Sequence, residues 1–202
     1  MDISVIVTNY NYDTYLARCL RSLLDQTLDG SKYEVVLVDD ASTDRSPMIA
    51  ASFGSRVKTI LLDENVGLAS ASNIAFSHCT GRLIVRVDSD DFVHPNFLST
   101  FVIANELLGA NFQAFSMDYF EVDEAGQILE LRNAKISPIA CAISFKSEVL
   151  LALGAYKDGL RIFEERELQE RFINAGYLMH NISMPLYRYV KHSKSLTGRI
   201  FR

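Results

Sequence analysis

The first 94 residues alternate between short apolar runs and longer segments whose apolar residues recur at helical spacing. The apolar runs are rich in β-branched residues and predict buried strands at 3–8, 33–40, 57–63 and 82–88. The segments between them predict helices at 13–28, 42–54 and 67–81, with Asp13 and either Ser42 or Thr43 as N-caps. This order predicts a parallel sheet covered by helices on both faces.

After residue 95 the pattern is less regular. It predicts helices over 95–108, 145–154 and 164–176, and strands over 112–123, 127–132 and 177–190. The simplest organisation is one α/β domain spanning 1–202, with an α/β half at 1–94 and a mixed half at 95–202.

Composition narrows the function classes. The chain has 202 residues, 49% of them hydrophobic, and a net charge of −5 spread along its length, which argues against nucleic acid as a partner. Its three cysteines, Cys19, Cys79 and Cys141, lie far apart and predict neither disulfides nor a zinc site. The N-terminus lacks signal-peptide features, and no apolar stretch reaches the roughly 18 residues of a membrane span. We therefore expect a cytoplasmic location.

Acidic residues follow the predicted strands of the first half. Asp39 and Asp40 end the second strand, and Asp88, Asp90 and Asp91 end the fourth. The carboxyl ends of parallel strands share one rim, where ligands bind. Crowded carboxylates must be protonated, paired or neutralised by a metal, and the nearby Arg45 and Arg86 are too few. Oxygen ligands favour Mg²⁺ or Mn²⁺, and hence a phosphate-bearing ligand, although any one of these aspartates alone could simply form a turn.

Five segments in order carry a family resemblance. They read ISVIVTNYNYDTYLARCLRSLLDQT, VVLVDDASTD, NVGLASASNIAF, GRLIVRVDSDDFVHP and EERELQERFINAGY, from residue 3 to about residue 190. Together they resemble the family 2 inverting glycosyltransferases of the GT-A fold. The resemblance implies a metal-dependent transferase. It would move a sugar from a nucleotide-diphosphate sugar to a saccharide or lipid-linked saccharide acceptor, in surface polysaccharide or lipopolysaccharide biosynthesis.

The resemblance also assigns residues. Those matched to the donor site are Thr8, Tyr10, Asp39, Asp40, Asn65, Gly67, Asn73, Asp88, Asp90 and His192. The implied metal ligands are Asp91 and Asp90. The implied general base is Glu165, with Glu164 as the alternative, and the family usually has Asp at that position. Read without the family, the glutamates of IFEERELQERF would be a solvated helix face.

Two departures from the family pattern keep a second function open. Ser72 precedes Asn73 where the family often has Arg, and Lys157 replaces an acid in GAYKDG. The alternative is therefore a non-catalytic partner subunit that binds a nucleotide sugar. The basic tail at 188–202 leaves open a flap over the diphosphate or peripheral association with the inner face of a membrane.

Overall fold

A computed structural model describes residues 1–157, 159–160, 164–193 and 195. Its strands are β1 (Ile3–Asn9), β2 (Tyr33–Asp39), β3 (Lys58–Leu61), β4 (Leu83–Asp88), β5 (Phe92–Val93), β6 (Ala114–Val122), β7 (Ile128–Arg132), β8 (Ile143–Lys146) and β9 (Met179–Val190). Its α-helices are α1 (Asp13–Leu24), α2 (Ser46–Ser52), α3 (Leu68–Ser77), α4 (Phe97–Leu108), α5 (Ser147–Ala152) and α6 (Glu164–Asn174), and a 3₁₀ turn covers Gly54–Arg56.

The strands form one sheet in the order β3-β2-β1-β4-β8-β6-β9-β5, with β7 paired to the outside of β6. The strands β1 to β4 are parallel, as predicted, and β8 joins this parallel half to β6 by antiparallel pairing on both sides. Farther along, β9 runs parallel to β6, and β5 pairs antiparallel with β9. The last strand therefore lies beside the segment that directly follows the acidic turn.

Two hydrophobic clusters cover the two faces of the sheet. On one face, Val5 and Val7 of β1 pack with α1 and α4; on the other, Ile6 packs with α3, α5 and α6. This alternation follows from the two-residue period of a strand. Strands buried on both faces explain the uninterrupted apolar runs of the sequence.

Several predicted boundaries were wrong. Helix α1 ends at Leu24, and neither Asp13 nor Ser42 is a cap, because α1 follows Tyr12 and α2 starts only at Ser46. The predicted helix over 145–154 begins as strand β8, whose pairing with β4 and β6 overrides local helix preference. The two-residue strand β5 was not predicted.

The register of β1 aligns the predicted site. Asn9 lies opposite Asp39 of β2, and Thr8 lies opposite Asp88 of β4. The expected shared rim at the strand ends is confirmed.

Candidate active site

The acids after β2 are bound by their own loops. One Asp39 oxygen accepts a hydrogen bond from Asn9 Nδ2 at 2.8 Å, and the other accepts one from the Ser42 N–H at 2.9 Å. Asp40 accepts bonds from the Val66 N–H (2.8 Å), the Gly67 N–H (2.9 Å) and Asn65 Nδ2 (2.9 Å). Both aspartates are buried. Here the carboxylates shape the loops that line the rim.

Four predicted donor residues besides these aspartates take part in this scaffold or lie beside it. Gly67 has φ +86°, a backbone conformation that favours glycine, and this conformation aims its N–H at Asp40. Asn73 uses its side-chain amide on the Tyr156 backbone, donating to the carbonyl at 2.8 Å and accepting from the N–H at 2.9 Å. Thr8 is buried at the end of β1, whereas Tyr10 beyond it is 45% exposed.

The acids at the end of β4 are held by Arg86 of the same strand and by residues of β9 and the segment after it. Asp88 Oδ1 lies 3.2 Å from Nε of Arg86, whose side chain is only 2% exposed, whereas that of Asp88 is 29% exposed. Burial raises the pKa of Asp88, and the Arg86 charge opposes that rise. One oxygen of Asp88 thus faces an internal cation, while the residue as a whole stays at the rim.

Asp91 is the most enclosed acid of the turn. Its Oδ2 accepts a hydrogen bond from the Tyr187 hydroxyl at 2.6 Å, and its Oδ1 accepts one from the Val190 N–H at 2.8 Å. Burial raises the pKa of Asp91 well above its ordinary range, and the nearby Asp90 and Asp88 charges raise it further. Asp91 therefore fastens the acidic turn to β9.

Asp90 lies on the open side of the turn. Its Oδ2 is 2.9 Å from Nε2 of His192, two residues beyond the end of β9, and its side chain is 16% exposed. The His192 ring packs between two tyrosines of the loop and helix after β1, with ring centroids 5.8 Å from Tyr12 and 4.6 Å from Tyr15. The structure thus brings together two residues that the resemblance assigned separately to the donor site. Of the predicted flap, residues 194 and 196–202 lie outside the described residues.

Glu164 and Glu165 open α6 and are not on a solvated face. Their side chains are 5% and 6% exposed, because they share the inward face of the helix with Leu168 and Phe172. Arg86 Nη1 donates to Glu164 Oε1 at 3.1 Å and lies 3.4 Å from Glu165 Oε2. Among the described residues, Glu165 Oε2 accepts no bond of good hydrogen-bond geometry, whereas a side-chain hydrogen bond with Tyr156 lowers the pKa of Glu165 against the effect of burial.

The electrostatics of Glu165 suit proton transfer. Burial raises the pKa of Glu165 to about 8; the Glu164 and Asp88 charges also raise it, and Arg86 opposes them. A carboxyl group with a pKa near the working pH is an effective general base. The arrangement can therefore hold a cation at the rim and accept a proton beside it.

Two contributors to the site were not assigned from the sequence. The sequence marked Arg86 only as a basic residue near the acids and gave no role to Tyr187. Arg45, the other basic residue expected near the acids, instead pairs with Asp13 on the surface. A signal for Arg86 did exist, because a charged residue inside the apolar run LIVRVD must find partners when it is buried. No local signal marks Tyr187, whose contact with Asp91 spans 96 residues.

Among the described residues, one group of metal-binding residue types is compact. The ligand atoms of Asp88, Asp91 and Cys141 lie within 4.8 Å of one another. Burial raises the pKa of the Cys141 thiol well above its ordinary value, which keeps it protonated and a poor ligand for a hard cation. The two carboxylates are the members whose chemistry fits Mg²⁺ or Mn²⁺.

Comparison with known proteins identifies the family of the chain. The family model described as "Glycosyl transferase family 2" matches residues 4–137. The succinoglycan biosynthesis protein ExoO of Rhizobium meliloti is 35% identical over 177 residues, which are 84% of this chain and 49% of that protein. The chain thus spans about half the length of such curated relatives.

Solved structures support the fold. The S. aureus TarS 1–349 fragment in complex with UDP-GlcNAc matches with a TM-score of 0.81 and 22% identity, over 96% of this chain and 60% of that one. The mannosyltransferase PcManGT of Pyrobaculum calidifontis, in complex with GDP-Man and Mn²⁺, matches with a TM-score of 0.69 and 22% identity, over 98% and 59%. The predicted GT-A fold is confirmed. Within the part of the chain that the structure describes, every helix is too short or too polar to cross a bilayer.

Proposed function

The chain belongs to glycosyl transferase family 2, and from that premise we propose that it transfers a sugar from a nucleotide-diphosphate sugar to a hydroxyl group, with inversion at the anomeric carbon. The observation that supports this most is the cluster around Arg86. It brings the strand-end carboxylate of Asp88 and the buried carboxylate of Glu165 to one guanidinium. A donor-binding group and a base are thereby adjacent, although they lie 77 residues apart in the sequence (165 − 88).

In the proposed reaction Glu165 is the base. It takes the proton of the acceptor hydroxyl while that oxygen bonds to the anomeric carbon of the sugar. The bond from this carbon to the diphosphate oxygen breaks, and its electron pair leaves with the nucleoside diphosphate. Glu164 is less suited to this role, because its Oε1 already accepts a hydrogen bond from Arg86.

The rim residues fit a divalent metal. Asp90, with Asp88 beside it, offers carboxylate oxygens of the kind that bind Mn²⁺ or Mg²⁺, and His192 lies 2.9 Å from Asp90. When bound, such an ion would offset the negative charge of the departing diphosphate. Asp91, the other expected ligand, has both oxygens engaged by β9, so we assign the principal ligand role to Asp90.

The donor and the setting are inferred from the relatives. TarS binds UDP-GlcNAc, PcManGT binds GDP-Man, and ExoO is named for succinoglycan biosynthesis. We therefore propose a uridine or guanosine diphosphate sugar as donor and a saccharide or lipid-linked saccharide of a surface polysaccharide as acceptor. Location in the cytoplasm, at the inner face of a membrane, would give access to both.

Thermal shift with a panel of nucleotide sugars tests the proposal. At about 100 times its Kd a donor adds about 2.7 kcal/mol, or roughly 5–10 °C in Tm for a domain of this size. We expect that shift with Mn²⁺, a much smaller one in chelator, and its loss in Asp90→Asn. Glu106→Gln, which removes an exposed carboxylate on α4, is the matched control.

Two results would change the conclusion. Equal shifts in metal and chelator would contradict the metal site. Metal-dependent binding without transfer or donor hydrolysis, for every acceptor offered, would favour the non-catalytic partner subunit instead.

A further inference from the structure

Arg86 is a charged residue in a position that the strand pattern reserves for apolar side chains. It shares one face of β4 with Asp88 and with Ile84, which belongs to the hydrophobic cluster under α3, α5 and α6. Arg86 is 3% exposed. Burying a guanidinium is unfavourable unless its charge and its N–H groups are matched. The contacts that match it therefore indicate what the residue is for.

Those contacts join two elements that are distant in sequence. Nε lies at an ion-pair distance of 3.2 Å from Asp88 Oδ1 at the end of β4, without hydrogen-bond geometry, and Nη1 lies within 3.4 Å of Glu164 and Glu165 at the start of α6. On a third side, the guanidinium carbon lies 5.6 Å from the centre of the Tyr156 ring. Asn73 fixes the backbone of Tyr156 through two hydrogen bonds, and Arg171 donates to the carbonyl of Ala155 at 2.7 Å. The partners of Arg86 are thus themselves held in place.

We propose that Arg86 is a positioning residue for transfer, which fixes the first turn of α6 against the end of β4 and so places the Glu165 carboxylate beside the donor rim. The proposal rests on the proposed function. Arg86 is too deeply buried to contact the donor, so it acts through Glu165. It binds Glu164 by a hydrogen bond and Glu165 at ion-pair distance, which leaves Glu165 available for a proton.

The shape of arginine matters here. The Nε and Nη1 groups point in different directions from one rigid plane, so a single side chain can meet β4 and α6 together. A lysine would keep the charge but offers one ammonium on a flexible stem. Arg86→Lys therefore keeps the positive charge of the cluster but removes the two separate N–H groups that reach β4 and α6.

Steady-state kinetics of Arg86→Lys test the proposal. Arg82→Lys is the control, since Arg82 lies directly before β4 and forms an exposed pair with Asp2. We expect kcat to fall by about 100-fold, within the range that a general base contributes. Donor KM should change by less than about threefold, because donor contacts are not lost. Arg82→Lys should match the unaltered protein.

Hydrogen exchange gives a readout that needs no turnover. In Arg86→Lys we expect faster exchange in the peptide of α6 and in 153–157, with β1 unchanged. Unaltered exchange in α6 would overturn the proposal. So would an unchanged kcat, or a fall in kcat matched by an equal rise in donor KM, which would indicate a merely structural role.

A second variant covers the case in which Arg86→Lys fails to fold. The double change Arg86→Gln with Glu164→Gln removes one charge of each sign from the cluster. We expect it to fold, bind donor and remain low in kcat; recovery of normal kcat would overturn the proposal. Failure of the proposed function is distinguishable, because the unaltered protein would then lack the metal-dependent thermal shift with donor.

Discussion

The strand ends of β2 and β4 carry similar acids but hold them in different ways. Asp39 and Asp40 accept hydrogen bonds mainly from nearby loops, largely from backbone N–H groups. Asp88, Asp90 and Asp91 are held mainly by the side chains of Arg86, His192 and Tyr187. The comparison teaches that strand-end acids serve the fold where the backbone satisfies them. They can serve chemistry where their partners are other ionisable side chains.

The largest effect should come from substitution of Glu165, the proposed base. We expect Glu165→Gln to reduce transfer by about 10²–10⁴-fold, since glutamine cannot accept the proton. Donor affinity should stay nearly constant, because the rim is untouched. Rates with saturating donor, alongside Glu170→Gln as an exposed control on the same helix, check this. Full activity of Glu165→Gln would place the base elsewhere.

At the β4 end, substitutions of Asp91 and Asp90 should have different effects. Asp91→Asn removes an acceptor for the Tyr187 hydroxyl or the Val190 N–H, and we expect it to lower stability by about 1–3 kcal/mol. Asp90→Asn should alter stability little and instead weaken metal-dependent donor binding. Urea unfolding and donor titration of both variants make the comparison. If Asp91→Asn instead weakens metal-dependent donor binding and Asp90→Asn lowers stability, Asp91 is the metal ligand.

At the β2 end, Asp40→Asn tests the structural role. The asparagine can no longer accept all three bonds from Asn65, Val66 and Gly67, so we expect a loss of about 1–2 kcal/mol. Donor affinity should fall as the loop loosens, but the ratio of affinities with Mn²⁺ and with chelator should not change. A change in that ratio would mean that both strand ends reach the ion.

The last effect concerns pH. Because the pKa of Glu165 is raised from 4.5 to about 8, the folded state binds the extra proton between those values, and its stability falls as pH rises through them. Gln at this position does not titrate. The Tm of Glu165→Gln relative to the unaltered protein should therefore rise between about pH 5 and pH 8.5, which thermal unfolding of both proteins at the two pH values measures. A difference that stays constant with pH would show that Glu165 is not buried as described.

The sequence predicted what depends on local pattern. The parallel half came from apolar runs, and most helices came from periodicity with glycine stops. It missed β5 and β8, strands of two and four residues that exist because distant partners pair with them. The predicted start of α2 was wrong, because the Ser42 hydroxyl accepts hydrogen bonds from Asn9 Nδ2 and the Asn11 N–H instead of capping the helix.

For the site, the sequence identified the residue types but not the groupings. The family resemblance assigned His192 and Asp90 separately to the donor site, and their contact across 102 residues was not predicted. The roles of the acids at the β4 end and the start of α6 could not be divided from the sequence. They depend on which of these acids lie next to Arg86, Tyr187 and the Val190 N–H. Those contacts are properties of the packed sheet and appear in no local stretch of sequence.

The bond from the Val190 N–H to Asp91 has a consequence for synthesis of the protein. It spans 99 residues, which a ribosome needs about 5–20 s to translate. Until β9 has been synthesised, the emerging amino-terminal half has its acidic turn but lacks both Tyr187 and the Val190 N–H. In a nascent chain of this protein, Asp91 therefore stays without these two partners until residue 190 has been added.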